Sequence, residues 1–310
     1  MTPTATRRSI LIVLTAGAAR AQETFSISVN VDLVVLQVTV RDPKGGFATD
    51  LLEKNFEVFE DGVRQSVKFF QHEDVPVTVG LIIDHSGSMQ WRIRDVATAA
   101  RTFVRASSPN DEMFVVNFNE NVTLGLPAGM LFSNQPEVLE RAILSHRPTG
   151  QTSLYDAVLE GLRRVETGSK DKKVLVVVSD GGDNKSSHTL PDVLKKAGQS
   201  STVIYSIGVF DDRDADTNPD VLKKFAKATG GEAFFPAEPA GVIAICETIA
   251  RDIRNQYALG YVSSNAVRPG SYRSVRVVAK GAGDKKLQVR SRTGYISASE
   301  APAPKPEGSR

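Results

Sequence analysis

Between residues 77 and 254, short runs dominated by Val, Ile and Leu alternate with longer segments whose apolar residues recur every three or four positions. No other feature restricts the fold as much. The apolar runs 77–83, 113–118, 122–126, 174–179, 203–209 and 233–235 predict strands, and the segments 90–106, 135–144, 153–166, 190–200, 219–229 and 239–254 predict helices. Nearly continuous apolar strands need cover on both faces, which helices between parallel strands provide. The expected fold class is therefore α/β, a doubly wound, mostly parallel, Rossmann-like sheet. The single cysteine, Cys246, falls in the helical series Val242, Ile245, Ile249 and Ile253 and is expected to fill the core. One cysteine excludes an intrachain disulfide and a cysteine-based zinc site.

The flanks have another texture. Residues 25–74 hold short β-rich runs at 29–41, 56–60 and 67–71, separated by Asp42-Pro43-Lys44-Gly45-Gly46 and Asp61-Gly62. Residues 256–297 repeat it at 257–262, 272–279, 287–290 and 293–296. Neither set has enough strands for a stable core of its own. The two are expected to form one small β-sandwich domain, with the α/β domain, 75–255, inserted between them. Residues 298–310, Pro-rich and without large apolar side chains, are expected to be a disordered tail.

Residues 1–21 have the layout of a signal peptide: Arg7 and Arg8, a short apolar stretch at 10–14, and Ala19-Arg20-Ala21 before the expected cleavage. The stretch is too short for a permanent span, so an exported mature chain, periplasmic or extracellular and without an integral membrane span, is expected. A retained N-terminus in a cytosolic protein is the alternative, and the export route stays open. Lys and Arg total 38 against 36 Asp and Glu, a net charge of +2, which gives no footprint for nucleic acid.

Chemistry concentrates in three places. Asp84, Ser86 and Ser88 lie where the first strand of the α/β domain runs into a loop before a helix. Thr152 precedes a later helix and Asp180 ends a later strand. In open parallel sheets, ligands gather at the carboxyl ends of strands, where all three segments converge. The five side chains are hard oxygen donors without imidazole or thiolate, a set suited to Mg²⁺ and admitting Mn²⁺ or Ca²⁺. Each part has a bland reading: D-x-S-x-S as a helix N-cap, Thr152 or Ser153 as another cap, Asp180-Gly181 as a turn. Their joint occurrence at one sheet edge argues against a purely structural role. His85 is expected to be a solvent-facing loop residue rather than a ligand, Gly87 to give the loop its sharp backbone path, and Asp183 and Asn184 either to bond metal-held waters or to form a plain turn.

The motif Asp84-x-Ser86-x-Ser88, followed by Thr152 and Asp180 in order, resembles the metal ion-dependent adhesion site of von Willebrand factor A-type domains over roughly residues 75–255. Asn55-Phe56-Glu57-Val58-Phe59-Glu60-Asp61-Gly62 and Gln256-Tyr257-Ala258-Leu259-Gly260-Tyr261 are similar to a bacterial family of exported VWFA-related proteins. The resemblance implies that Ser86 and Ser88 ligate the cation directly, with Thr152 joining in the ligand-competent state and Asp84 and Asp180 acting partly through waters. It further implies an open coordination position, filled by an Asp or Glu carboxylate of a protein partner.

The expected function is thus cation-dependent protein binding or adhesion. The alternative is a metal-dependent scaffold or assembly subunit of a cell-envelope complex. A hydrolase is the rival class, since His85 precedes Ser86, but adjacent residues rarely aim at each other as base and nucleophile must, and neither a G-x-S-x-G elbow nor a phosphate-binding loop is present. No enzymatic activity is expected. Asp212, Asp214, Asp216 and Asn218 imitate the start of a calcium loop, but Thr217 and Lys223 occupy the glycine and glutamate positions, so an EF-hand is rejected and Asn218 is expected to cap a helix beginning at Pro219.

Overall fold

The computed structural model describes residues 33–72, 74–210, 217–238, 241–265, 269–281 and 287–297. The expected signal peptide, the expected tail and Asp212, Asp214 and Asp216 lie outside them.

The middle of the chain forms a six-stranded sheet from β5 (Val77–Asp84), β6 (Glu112–Phe118), β7 (Val122–Leu124), β8 (Lys172–Ser179), β9 (Val203–Gly208) and β10 (Ala233–Phe234). Their order is β10-β9-β8-β5-β6-β7, and every neighbouring pair is parallel except β6 with the antiparallel edge strand β7. Side chains alternate across the sheet with period two. Val77, Val79, Leu81 and Ile83 of β5 and Val174, Val176 and Val178 of β8 pack under α1 (Ile93–Ala106), α2 (Pro136–Leu144) and α6 (Gly241–Arg254). Ile82, Phe114, Val116, Leu175 and Val177 face α3 (Leu154–Val165), α4 (Leu190–Gln199) and α5 (Pro219–Thr229). Double cover explains why these strands are apolar on both faces; each fully buried Val, Leu or Ile contributes about 1.5–3 kcal/mol. Cys246 belongs to the first core, as expected.

Chain direction reverses about β5. The loop after β5 leads by α1 to β6 on one side, whereas the loop after β8 leads by α4 to β9 on the other. The carboxyl ends of β5 and β8 therefore flank a crevice at a topological switch point, where open α/β sheets bind ligands.

The flanks build two further sheets of four strands, β13-β1-β11-β4 and β14-β12-β2-β3. The N-terminal flank supplies β1 (Leu33–Arg41), β2 (Phe56–Glu60), β3 (Val63–Gln65) and β4 (Val67–Gln71), and the C-terminal flank β11 (Tyr257–Val262), β12 (Tyr272–Ala279), β13 (Gln288–Arg290) and β14 (Gly294–Ile296). Each sheet mixes the two: Leu36 opposes Leu259 in one and Val58 opposes Val277 in the other. Leu36, Val38, Phe56, Val58, Tyr257, Leu259, Tyr261 and Val277 share one core. Only β3, a short hairpin partner of β2 after Asp61-Gly62, had no separate signal in the sequence.

Buried polar groups join this β-sandwich to the α/β domain. The Asp252 carboxylate of α6, fully buried, accepts from Tyr205 of β9, from Arg290 of β13, and at 3.4 Å from both Thr39 and Arg41 of β1. Arg292 donates to the Ser200 carbonyl at 2.9 Å and the Gly198 carbonyl at 3.1 Å, satisfying the end of α4. Where the chain passes between the units, Arg254 donates to Asp74 at 2.7 Å and to the Val75 carbonyl at 3.0 Å, and pairs with Asp111.

Candidate metal centre

Four of the five expected site residues form one hydrogen-bonded chain across the crevice between β5 and β8. Asp84 ends β5 fully buried, and its Oδ1 accepts the Ser86 backbone N–H at 2.8 Å. The Ser86 and Ser88 hydroxyls lie 3.1 Å apart, and Ser88 donates to Asp180 Oδ2 at 2.6 Å. Asp180, 3% exposed, accepts the Gly182 N–H on its other oxygen at 2.9 Å. A residue not anticipated from sequence closes the circuit: Ser179, the last of β8, donates to Asp84 Oδ2 at 2.6 Å and accepts the Gly181 N–H at 3.0 Å. Its signal was a lone hydroxyl ending an otherwise apolar buried strand.

Thr152 stands beside this chain, carried by its backbone. The Gly150 carbonyl accepts the Gly87 N–H at 3.2 Å, which presses the Thr152 loop onto the serine loop. Asn184 Oδ1 accepts the Thr152 N–H at 3.0 Å, and the Thr152 carbonyl accepts from Asn184 and Lys185. Asp183 accepts the Tyr155 N–H at 3.0 Å, and Ser186 the Asp156 N–H at 3.1 Å. These two, not Ser153, cap α3; Ser153 occupies the N-cap position without a side-chain capping bond, as Asn218 does for α5. Asp183 and Asn184 thus hold the Thr152 loop in place.

Other local expectations need correction. Residues Gly87–Met89 form a 3₁₀ turn and α1 begins only at Ile93, not at residue 90. The sharp backbone positions are Gly150 and Gly181, at φ of 80° and 83°, rather than Gly87. A Cβ at Gly181 would run into the Asn218 carbonyl. His85 does not face solvent: it is 1% exposed. Its N–H donates to the Phe118 carbonyl at 2.6 Å and its carbonyl accepts from Thr149, so the loop folds inward over the sheet edge. The ring lies 3.2 Å from Asn117 Oδ1 and edge-on to His146, and burial pushes its pKa down to about 4.

Two buried carboxylates thus lie within one hydrogen-bonded chain that contains no cationic side chain. Burial, reinforced by the charge of Asp180, pushes the Asp84 carboxyl up to about 7. Among the described residues no group of three or more His, Cys, Asp and Glu converges; what converges is two carboxylates with the Ser86 and Ser88 hydroxyls. An all-oxygen set of this kind, deficient in positive charge, fits a hard divalent cation, with Asp84, Ser86, Ser88, Thr152 and Asp180 able to hold it directly or through water. Such an ion would supply net positive charge at the sheet edge.

The sequence model of the von Willebrand factor type A domain matches residues 79–243, just over half of the chain. No curated protein matches. Among solved structures, a von Willebrand factor type A protein from Catenulispora acidiphila is 13% identical, over 86% of this chain and 74% of that one, with a TM-score of 0.50. The vWF domain of the type V pili tip protein Mfa5 from Porphyromonas gingivalis is 14% identical, over 63% of this chain and 98% of that one, also with a TM-score of 0.50. At such identities the likeness concerns the fold alone.

Proposed function

The chain belongs to the von Willebrand factor type A domain family, and from that premise we propose that it binds a protein partner through a divalent cation, Mg²⁺ foremost. Asp84, Ser86, Ser88, Thr152 and Asp180 hold the ion, and an Asp or Glu carboxylate of the partner completes its shell. The observation that carries this reading is the chain from Asp84 through Ser86 and Ser88 to Asp180, two buried carboxylates linked by hydroxyls at the switch point. One solved neighbour by fold is a pilus tip protein, a setting in keeping with adhesion. We place the mature chain outside the cytoplasm on the strength of its N-terminal sequence; among the described residues no helix is long and apolar enough to cross a membrane.

The role is binding rather than catalysis. The His85 ring is engaged with Asn117 and the Ser86 hydroxyl meets Ser88, so no histidine stands against either serine; Ser88 donates instead to Asp180, one of the groups assigned to the ion. The exposed His188 meets both Asp156, at 2.7 Å, and Ser187, at 3.2 Å, through the same Nδ1, which is not the arrangement of a proton relay.

Calorimetric titration of the mature protein with MgCl₂ tests the proposal. One principal site is expected, and its heat should vanish in Asp84→Ala. Equal heats from the two proteins would refute the assignment, whatever the partner.

A further inference from the structure

The rim of the site carries features that ion binding does not use. Trp91, the only tryptophan of the chain, is 78% exposed, more than any other large hydrophobic side chain among the described residues. The backbone that carries it is held. Met89, fully buried, pins the turn, and the Gln90 and Arg92 N–H groups donate to the Gly87 and Met89 carbonyls at 3.3 and 2.9 Å. Trp91 follows Ser88 by three residues, so its backbone lies close beside the serine loop. A single exposed apolar residue is ordinary; an indole left exposed on a hydrogen-bonded turn beside a candidate cation site is a different matter.

Charge around the site points the same way. Arg92 and Arg94 lie between the serine loop and the first turn of α1. Arg147 precedes Thr149, whose N–H is tied to the His85 carbonyl, and Lys185 donates its backbone N–H to the Thr152 carbonyl. Arg94, Arg147 and Lys185 are exposed and Arg92 is half-exposed. Among the described residues none of the four makes an ion pair. Of the carboxylates on the same segments, Glu120 and Asp95 are exposed and Asp183 is half-buried under the Tyr155 N–H and Ser186, so the four cations outnumber the exposed carboxylates two to one.

We propose that Trp91, with Arg92, Arg94, Arg147 and Lys185, selects the partner: an acidic segment in which the coordinating carboxylate is flanked by an apolar side chain that seats on the indole. The inference rests on the cation-mediated reading of the site. The four cations disfavour a basic flank and attract an acidic segment, while the indole supplies rigid apolar area of the kind that anchors interfaces.

Random peptides displayed on phage, panned against the full chain in MgCl₂ and eluted with EDTA, test both layers separately. Wild type should return peptides with Asp or Glu beside Leu, Ile or Phe. Trp91→Ala, a change at an exposed position, should still return acidic peptides but lose the apolar enrichment. A peptide selected on wild type should shift Trp91 emission to the blue, bind Trp91→Ala roughly thirtyfold more weakly, and bind Trp91→Phe at an intermediate level. If EDTA elutes nothing from wild type, the cation-mediated reading falls and takes the inference with it. Acidic peptides without apolar neighbours, or an enrichment that survives Trp91→Ala, would overturn the inference alone.

Discussion

Asp252→Ala should uncouple the two domains. The carboxylate is fully buried and accepts from Tyr205 within the α/β domain and from Thr39, Arg41 and Arg290 of the β-sandwich. Arg290 keeps Glu232, and Arg41 keeps the same Glu232 at 3.6 Å, but Glu232 is partly exposed and serves both. Removing Asp252 leaves two guanidinium groups sharing one carboxylate and the buried Tyr205 hydroxyl short of its acceptor. Breaking a buried ion pair from one side costs about 3–5 kcal/mol. Asp252→Asn keeps an acceptor for Tyr205 while losing the charge, so its cost should be about half that, near the value of a single charge-assisted hydrogen bond. Against a total stability of about 5–15 kcal/mol, the larger loss should shift the urea midpoint and separate the domain transitions. The assay is equilibrium urea unfolding followed by amide exchange, in β5 and β8 for the α/β domain and in β1 and β11 for the sandwich. Coincident wild-type curves should part in Asp252→Ala, the sandwich unfolding first. A loss below about 1 kcal/mol, the scale of an exposed pair, or curves that stay coincident, would refute the argument that this carboxylate couples the domains.

Other changes follow from single features. Thr152→Ala should weaken partner capture more than ion binding, since Asp84, Ser86, Ser88 and Asp180 remain; parallel calorimetry and capture in Mg²⁺ check it, and equal losses would contradict it. Gly181→Ala should cost about 2–4 kcal/mol, from the left-handed backbone and the clash with Asn218, measured by urea unfolding. Burial pushes the Cys246 thiol from 9.0 up to about 12, so at pH 8 iodoacetamide should label the folded chain roughly a thousandfold more slowly than the unfolded one. Lys172, buried with its ammonium donating to the Ile253 carbonyl, is pushed down to about 7, by burial first and by Arg254 second. The folded state then binds fewer protons than the unfolded one between about pH 7 and 10.5, so this group adds stability as pH rises through that window; its penalty stands in full below it, and Lys172→Met should flatten the slope.

The α/β domain was legible because its constraint is one-dimensional: β5, β6, β8 and β9 carry apolar residues on both faces, with polar ones mostly at their ends, and each helix shows its buried stripe. The convergence of Asp84, Ser86, Ser88 and Asp180 was legible for a related reason, since they are polar residues at or just past the carboxyl ends of apolar runs. What escaped depends on tertiary direction. His85 is polar and in a loop, which by composition means solvent, yet its backbone pairs with Phe118 and Thr149 and turns the ring inward onto Asn117. Ser153 and Asn218 have capping chemistry at capping positions, but the α3 N–H groups are taken by Asp183 and Ser186 from a loop some thirty residues away. The pairing of the flanks could be argued from strand counts; which strand lay beside which could not.

That pairing sets the order in which the molecule assembles. Leu36 must find Leu259 across more than two hundred intervening residues, and with an unfolded intervening chain the entropy of closing that loop opposes the search. Once the α/β domain has folded, Arg254 holds the exit of the domain against Asp74 and Val75 at its entrance, and the loop shrinks to the few tens of residues in the flanks. At about 0.6 kcal/mol per doubling of loop length, this recovers roughly 1.5 kcal/mol. β1 and β4, synthesised early, thus wait without their partners, and the β2–β3 hairpin without β12, until the domain made after them has brought the two ends of the sandwich together.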